Sequence, residues 1–323
     1  MTKKITPSWL VDLAALPKGF HQRRIAREGV GFEIFIWRGA PGPVLLVNGA
    51  THGDEYEGPT LLQKWVQHWK PRTLRGTVVL IPVLNEVAFF AGARCRPDDG
   101  ANLARSFPGK RRGSPTERLA ALFNEQLLAQ CTHYVDFHSA GVANELKPWV
   151  GYVTGVSAPL DRVQRKMSAC FDRFWCWSGP FLPGRTLSAA AERRIPAIYT
   201  ECRGAGDVGS ADLAALDLGL KRLLIVLGIS AGKIPRLRRQ RTRITRSARE
   251  THLQVHHQAP LDGLFISQVR LDQKVRRGTP IGQVLSLAGK PTVILAEHAG
   301  RVVVLRLQRS VRRSDALAVL API

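Results

Sequence analysis

The stretch Asn48-Gly-Ala-Thr-His52-Gly-Asp-Glu55-Tyr-Glu57-Gly58 is the most chemically informative part of the 323-residue chain. It follows an apolar run and precedes a helical pattern, so His52 and Glu55 stand at the carboxyl end of a strand, where open α/β sheets gather their ligands. Gly49 and Gly53 permit a turn that brings both side chains to one spot. Two further apolar runs end in a similar way: Tyr134-Val-Asp-Phe137 leads into His138-Ser139, and Ala197-Ile-Tyr-Thr200 into Glu201-Cys202-Arg203. Two histidines and a glutamate, with a second glutamate to spare, suit a catalytic zinc site of three protein ligands and one open position. Neutral imidazole and carboxylate suit Zn²⁺, the open position admits water, and the metal lowers that water's pKa to about 7. The spare carboxylate is then the base that takes the water's proton and passes it to a leaving amine. Asp54, Glu57 and Asp136 stand outside this set. Asp136, two residues before His138 on the same strand face, is placed to orient that region.

Such a site needs neighbouring strand ends, and the rest of the chain supplies candidates. Short β-type runs at 44–48, 77–83, 133–137, 150–154 and 197–200 alternate with helical patterns at 58–69, 115–130, 159–174 and 210–227. In Ser114-Pro115-Thr116-Glu117, Ser can cap, Pro suits the first helical position and Glu can complete a capping box. The alternation predicts an α/β sheet covered by helices on both faces. After Gly228 the character changes. Residues 233–249 hold eight basic residues and no acid, which reads as an exposed linker or arm. Short strands and turns follow, with a weak repeat. Ala259-Pro-Leu-Asp-Gly263 and Val275-Arg-Arg-Gly278 recur as Ala296-Glu-His-Ala-Gly300 and Val311-Arg-Arg-Ser314, at offsets of 37 and 36 residues. Two similar β units predict a small sandwich or barrel made by duplication. The expected division is a catalytic domain over 1–235, then a basic linker and β domain over 236–323.

Taken together, His52-Gly-x-Glu55, the run Asn102-Leu-x-Arg105-x-Phe-Pro-Gly109, the strand-end His138 and the strand-end Glu201 resemble the succinylglutamate desuccinylase/aspartoacylase family, relatives of the zinc carboxypeptidases. The resemblance covers residues 44 to about 206, and the C-terminal β region is similar in kind to the family's second domain. It implies a zinc-carboxypeptidase-like mixed sheet flanked by helices, followed by a smaller, barrel-sandwich-like all-β domain. It also implies one zinc held by His52, Glu55 and His138, with Glu201 as general acid/base. Arg94 occupies the family's upstream arginine position, where the side chain polarises the scissile carbonyl. Arg105 is the arginine of the Asn-Arg pair that anchors a substrate carboxylate. One departure is plain: Asn102-Leu103-Ala104-Arg105 stands where the family pattern is Asn-Leu-Asn-Arg. Asn102 and Arg203 complete the substrate-binding candidates. Arg203 is suited either to bind a carboxylate bidentately or to hold Glu201 ionised.

Composition bounds these readings. Apolar residues make up 45% of the chain, ample for a core and too many for a disordered protein. No apolar run approaches the roughly 20 residues a bilayer needs. Five cysteines without a Cys-x-x-Cys indicate neither a disulfide framework nor a thiolate zinc site, which fits a reducing cytoplasm. The net charge is +22, and residues 233–323 carry 18 Lys/Arg against 5 Asp/Glu, or +13 of it. Such a field attracts small anions or nucleic acid. No aromatic residue lies between Gly228 and Leu264, so the basic segment lacks a stacking platform for nucleic acid. His252, His256 and His257 have no carboxylate at ligand spacing and read as solvated or core histidines. The expected activity is zinc-dependent hydrolysis of a small anionic N-acyl amino acid or similar amide. The alternatives are a carboxypeptidase-type peptidase on short peptides and a non-catalytic anion- or nucleic-acid-binding protein; homo-oligomerisation stays open.

Overall fold

Leu45, Leu46 and Val47 are all buried, so this apolar run must be covered on both faces. The period of two sorts its neighbours in the same way. Leu46, Val79, Ile81 and Tyr134 join one core, whereas Leu45, Val47, Val78, Leu80, Val135 and Phe137 join the other. The computed structural model describes residues 10–233, 236–245, 256–287 and 289–321. Its elements begin with β1 (Gly19–Arg27), β2 (Val30–Arg38), β3 (Ala40–Asn48), α1 (Glu57–His68), β4 (Arg75–Ile81), α2 (Glu86–Phe90), α3 (Pro115–Gln126) and β5 (His133–Ser139). They continue with β6 (Asn144–Leu146), β7 (Trp149–Gly151), α4 (Ala158–Ala169), β8 (Trp175–Ser178), α5 (Thr186–Glu192), β9 (Ala197–Cys202), α6 (Ser210–Val226) and β10 (Thr242–Ile244). Nine described strands form one sheet in the order β1-β2-β4-β3-β5-β9-β7-β8-β10.

The centre of that sheet, β4-β3-β5-β9, is parallel, while β1, β2 and β7 join antiparallel, so the sheet is mixed as expected. In the ladder His138 lies directly opposite Glu201, and Asn48 opposite Asp136. The carboxyl ends of β3, β5 and β9 are therefore adjacent. At the start of α3, Ser114 Oγ accepts from Glu117 N and Glu117 Oε2 accepts from Ser114 N, forming the capping box. The hairpin β1-β2 is an addition to the strands read from sequence. Val30, Phe32, Ile34 and Ile36 alternate buried with less buried residues, and Glu28-Gly29 turns at positive φ.

The C-terminal region holds β11 (Gly263–Ser267), β12 (Lys274–Val275), β13 (Pro280–Ser286), β14 (Thr292–Leu295), β15 (Gly300–Arg306), β16 (Ser310–Val311) and β17 (Ala318–Ala321). The internal repeat appears here as reciprocal pairing. Gly263 sits opposite Val311, and its counterpart Gly300 sits opposite Val275. Ser314 N donates to Ala259 O just as Gly278 N donates to Ala296 O. Gly278 and Ser314, 36 residues apart, share a left-handed backbone with φ of 80° and 73°. Each unit thus completes the other's sheet around one core that includes Phe265, Val284, Val302 and Leu320.

The described part of the basic segment, 236–245, is largely exposed, as expected, but it is anchored along its length rather than free. It lies along the free edge of β8. Strand β10 pairs there in parallel, Gln240 Nε2 donates to carbonyls of Ser168, Phe171 and Phe174, and the Arg241 guanidinium lies 4.2 Å from the Trp175 ring centroid. An open strand edge and exposed aromatic faces give a basic chain something to bind. In the other direction, β6, which lies outside the nine-stranded sheet, pairs with β15.

His257 belongs to the C-terminal core, whereas His252 lies outside the described residues. The His257 Nδ1 faces Ala318 O at 3.3 Å, and its Nε2 accepts from Glu297 N at 3.2 Å. The ring is thus held neutral, and burial lowers its pKa below the ordinary value near 6.5. The unfolded chain takes up a proton here as pH falls through about 6.5, and the folded chain does not, so stability is lost on the acid side. Denaturant titrations between pH 7 and 5 are expected to show that loss, and its slope should shrink in His257→Gln.

Candidate active site

The loop after β3 is shaped by contact rather than by glycine flexibility. Ala50, not a glycine, takes the left-handed position, with φ of 50°. Gly53 is required for proximity: a Cβ there would lie 2.0 Å from the Ala88 carbonyl carbon. The loop delivers His52 and Glu55 beside His138 at the end of β5. All three are buried, and one ligand atom from each lies within 4.8 Å of the others. Among the described residues no other group of His, Cys, Asp and Glu gathers in this way.

The hydrogen bonds around these rings decide their tautomers. Asn102 Oδ1 accepts from Ala104 N and lies 3.0 Å from His52 Nε2, so the His52 ring proton sits on Nε2. Burial, then the charge of Arg94, lowers the His52 pKa to about 4, and the ring is neutral. Its Nδ1 lone pair consequently faces Glu55 Oε1 at 2.7 Å with no hydrogen between them. His138 differs, because each of its ring nitrogens faces a carboxylate, with Nε2 3.0 Å from Asp136 Oδ2 and Nδ1 2.8 Å from Glu55 Oε2. Burial opposes charge on His138, but Asp136 and Glu55 outweigh it and hold its pKa well above the ordinary value. Two imidazole nitrogens and a carboxylate turned toward one another in a buried setting call for positive charge between them, supplied by the proton on His138 or by a cation in its place. A divalent cation satisfies that demand, and a His₂Glu donor set suits zinc.

Asp136 is wholly buried. It accepts from Asn48 Nδ2, Thr51 Oγ1 and Thr186 Oγ1 as well as facing His138. Glu57, also outside the ligand set, accepts from Gly204 N at 2.8 Å and fixes the chain just after Glu201.

Glu201 lies in the wall of a cavity of about 90 Å³ that also takes in His52, His138, Arg94, Arg105 and Arg185. Burial, then the neighbouring Glu55, pushes the Glu201 carboxyl up to about 8. Arg94 Nη1 donates to Glu55 Oε1 at 3.1 Å while its side chain also faces the cavity. Burial, then Arg185 and Arg94, pulls the Arg105 guanidinium down to about 10, which marks a cationic pocket with few counter-charges. Ala104 places a methyl group in this wall where the family pattern has an amide.

Two sequence candidates lie elsewhere. Asn102 is behind His52 as a hydrogen-bond acceptor and does not line the cavity. Arg203 points away, with Nη2 3.1 Å from Glu145 Oε2 and 61% of its side chain exposed. The structure adds Arg185, Tyr152 and Tyr199 to the cavity wall. Arg185 carries a signal in the sequence, as the one charged residue between Trp175 and Glu192. Gly184, with φ of 82°, lets its loop close onto Arg105, where a Cβ would lie 2.5 Å from the carbonyl oxygen. Both guanidiniums therefore share one wall.

The model of the succinylglutamate desuccinylase/aspartoacylase catalytic domain matches residues 41–227, more than half of the chain. The chain belongs to the succinylglutamate desuccinylase/aspartoacylase family. It is 29% identical over 305 residues to the N-alpha-acetyl-L-2,4-diaminobutyric acid deacetylase of Halomonas elongata, covering 91% of this chain and 86% of that one. Among solved structures of similar fold is a succinylglutamate desuccinylase of Silicibacter sp. TM1040, with a TM-score of 0.85 and 25% identity, covering 95% of this chain and 97% of that one. The product-bound ectoine utilization protein EutE (DoeB) of Ruegeria pomeroyi gives a TM-score of 0.84 at 26% identity, covering 96% and 98%.

For this family member the hydrogen bond behind His52 has a measurable consequence. If the donor set holds a divalent cation such as zinc, Asn102→Ala is expected to weaken its binding about 10- to 100-fold, as loss of a partner behind a ligand does. Arg203→Ala should leave it unchanged. Zinc titration against a competing chelator checks both.

Proposed function

We propose that the protein is a zinc-dependent hydrolase that removes the acyl group from an N-acyl amino acid or a similar small amide. The observation that carries this reading is convergence. His52 and His138, which gather with Glu55 as one donor set, border a single small cavity together with the Glu201 carboxylate and the guanidiniums of Arg105 and Arg185. Bound there, zinc would supply Lewis acidity toward water and the amide carbonyl. The chain's own groups perform the remaining tasks. Glu201 takes the proton of the attacking water and returns it to the leaving amine. Arg94 is positioned to donate to the carbonyl oxygen as negative charge develops. Arg105 and Arg185 hold the carboxylate of the amino-acid half, charge-assisted and in a largely dehydrated wall.

The deacetylase and desuccinylase names of the relatives support an acyl group as the part removed. Their difference leaves the acyl chain to be read from this protein. Five free thiols are in keeping with a cytoplasmic enzyme, and no described helix is long and apolar enough to cross a membrane. A peptidase acting on short peptides would use the same machinery with an aminoacyl group as the acyl half.

The test is a panel of acetyl and succinyl amino acids with the zinc-loaded protein. Hydrolysis is expected for carboxylate-bearing members. Glu201→Gln should lower kcat by about 10²- to 10⁴-fold while zinc stoichiometry stays the same. Undiminished turnover in Glu201→Gln, or anion binding without any hydrolysis, would sink the reading.

A further inference from the structure

A second, wider space opens on the same reacting position. The carboxyl ends of the large sheet and the β15–β17 side of the C-terminal region enclose a cleft of about 660 Å³, and Arg94 and Glu201 line both it and the small cavity. The two spaces differ in charge. The small cavity carries Arg94, Arg105 and Arg185 against Glu201. In the cleft, Arg306 is matched by Asp315, with Nη2 3.0 Å from Oδ2. Once Arg94 and Glu201 are set aside as common to both, Asp54 remains as the cleft's unmatched charge.

Asp54 is an unusual carboxylate. It is only 5% exposed, its Oδ2 receives one long hydrogen bond from Val142 N at 3.5 Å, and its Oδ1 has no hydrogen-bond partner among the described residues. A buried carboxylate oxygen left without a donor is costly unless something else supplies one. Oδ1 itself is closed to solvent, so a donor in the cleft that Asp54 lines would reach it through a turn of the carboxylate.

We propose that Asp54 is a specificity determinant for the acyl half of the substrate, which lies in this cleft and carries an ammonium group. The inference rests on the deacylase reading above. If Arg105 and Arg185 hold the carboxylate of the amino-acid half in the small cavity, and the scissile carbonyl lies between Arg94 and Glu201, the acyl half extends the other way. Preferred substrates are then short aminoacyl amides, cationic on the acyl side and anionic on the amine side. The cleft's volume is compatible with this class, since small-molecule sites commonly run to several hundred Å³.

The experiment compares near-isosteric acyl groups on the amino acid that the acetyl panel shows is cleaved fastest. Glycyl is set against propionyl, and β-alanyl against butyryl, so that an ammonium replaces a methyl group in each pair. The zinc-loaded wild-type protein should favour the ammonium member about 10- to 100-fold in kcat/KM, the worth of a charge-assisted hydrogen bond. Asp54→Asn should bring the members of each pair together, and the within-pair ratio of kcat/KM is the readout because it cancels any general change in activity. Equal wild-type rates within both pairs overturn the proposal without any variant. A preference that survives Asp54→Asn also overturns it, because the amine would then be recognised elsewhere. A third comparison moves the cation to the amine half, with Nα-acetyl-2,4-diaminobutyrate against Nα-acetylnorvaline. If Asp54→Asn changes that ratio and not the acyl ratios, the placement on the acyl side is wrong. Hydrolysis of the neutral acyl members keeps the deacylase reading intact through every one of these outcomes, and its complete absence removes that reading as well.

Discussion

The arrangement of the site depends on one buried carboxylate. Asp136 joins the end of β3 through Asn48, the following loop through Thr51, the first residue of α5 through Thr186, and the candidate ligand His138. Burial alone would raise its pKa, but His138 and the hydroxyl donors outweigh that and hold it below the ordinary carboxylate range. A charge so placed is tolerated only when its lone pairs are satisfied, and here they are. The same bonds fix where the parallel strands end relative to one another. They therefore set the position of His138, and through Glu55 that of His52. Tyr134 extends the network by donating to Asn48 Oδ1 at 2.6 Å.

From this centre the electrostatics divide into three zones. The donor set is dry and demands a cation. The small cavity on one side is lined by guanidiniums, which favours a carboxylate. The cleft on the other side contributes Asp54. The proposed reacting position lies where these zones meet, beside Glu201, whose carboxyl is pushed up by burial and by Glu55. The large positive charge of the chain takes little part in this arrangement. Part of it lies along the β8 edge, where Arg241 and Arg243 cover the Trp175 and Trp177 rings.

Much of this is legible in the sequence because strand-end chemistry is local. His52, Glu55, His138 and Glu201 each follow a recognisable apolar run, and parallel pairing of those runs makes them neighbours without further information. The capping box at Ser114 and the repeat between 259 and 320 are legible for the same reason, since both are short-range patterns with a fixed physical meaning. What depends on side-chain direction is not legible. Asn102 and Arg203 lie close in sequence to site residues, yet one is turned behind His52 and the other outward to Glu145. Arg185, Tyr152 and Tyr199 enter the cavity from a loop and strands whose tertiary approach no periodicity describes. The segment 236–245 keeps most of its residues exposed, as a run of arginines suggests, but its docking on an open strand edge and on the Trp175 ring is not legible in composition.

The central claim is that the buried His52, Glu55 and His138 set exists to hold a metal that hydrolysis needs. The most direct measurement is elemental analysis of the purified protein, followed by N-acyl amino acid hydrolysis before chelation, after it, and after zinc is restored. The account predicts one zinc per chain, activity lost on chelation, and activity recovered with zinc. A protein that hydrolyses these amides equally well after complete removal of metal would contradict it.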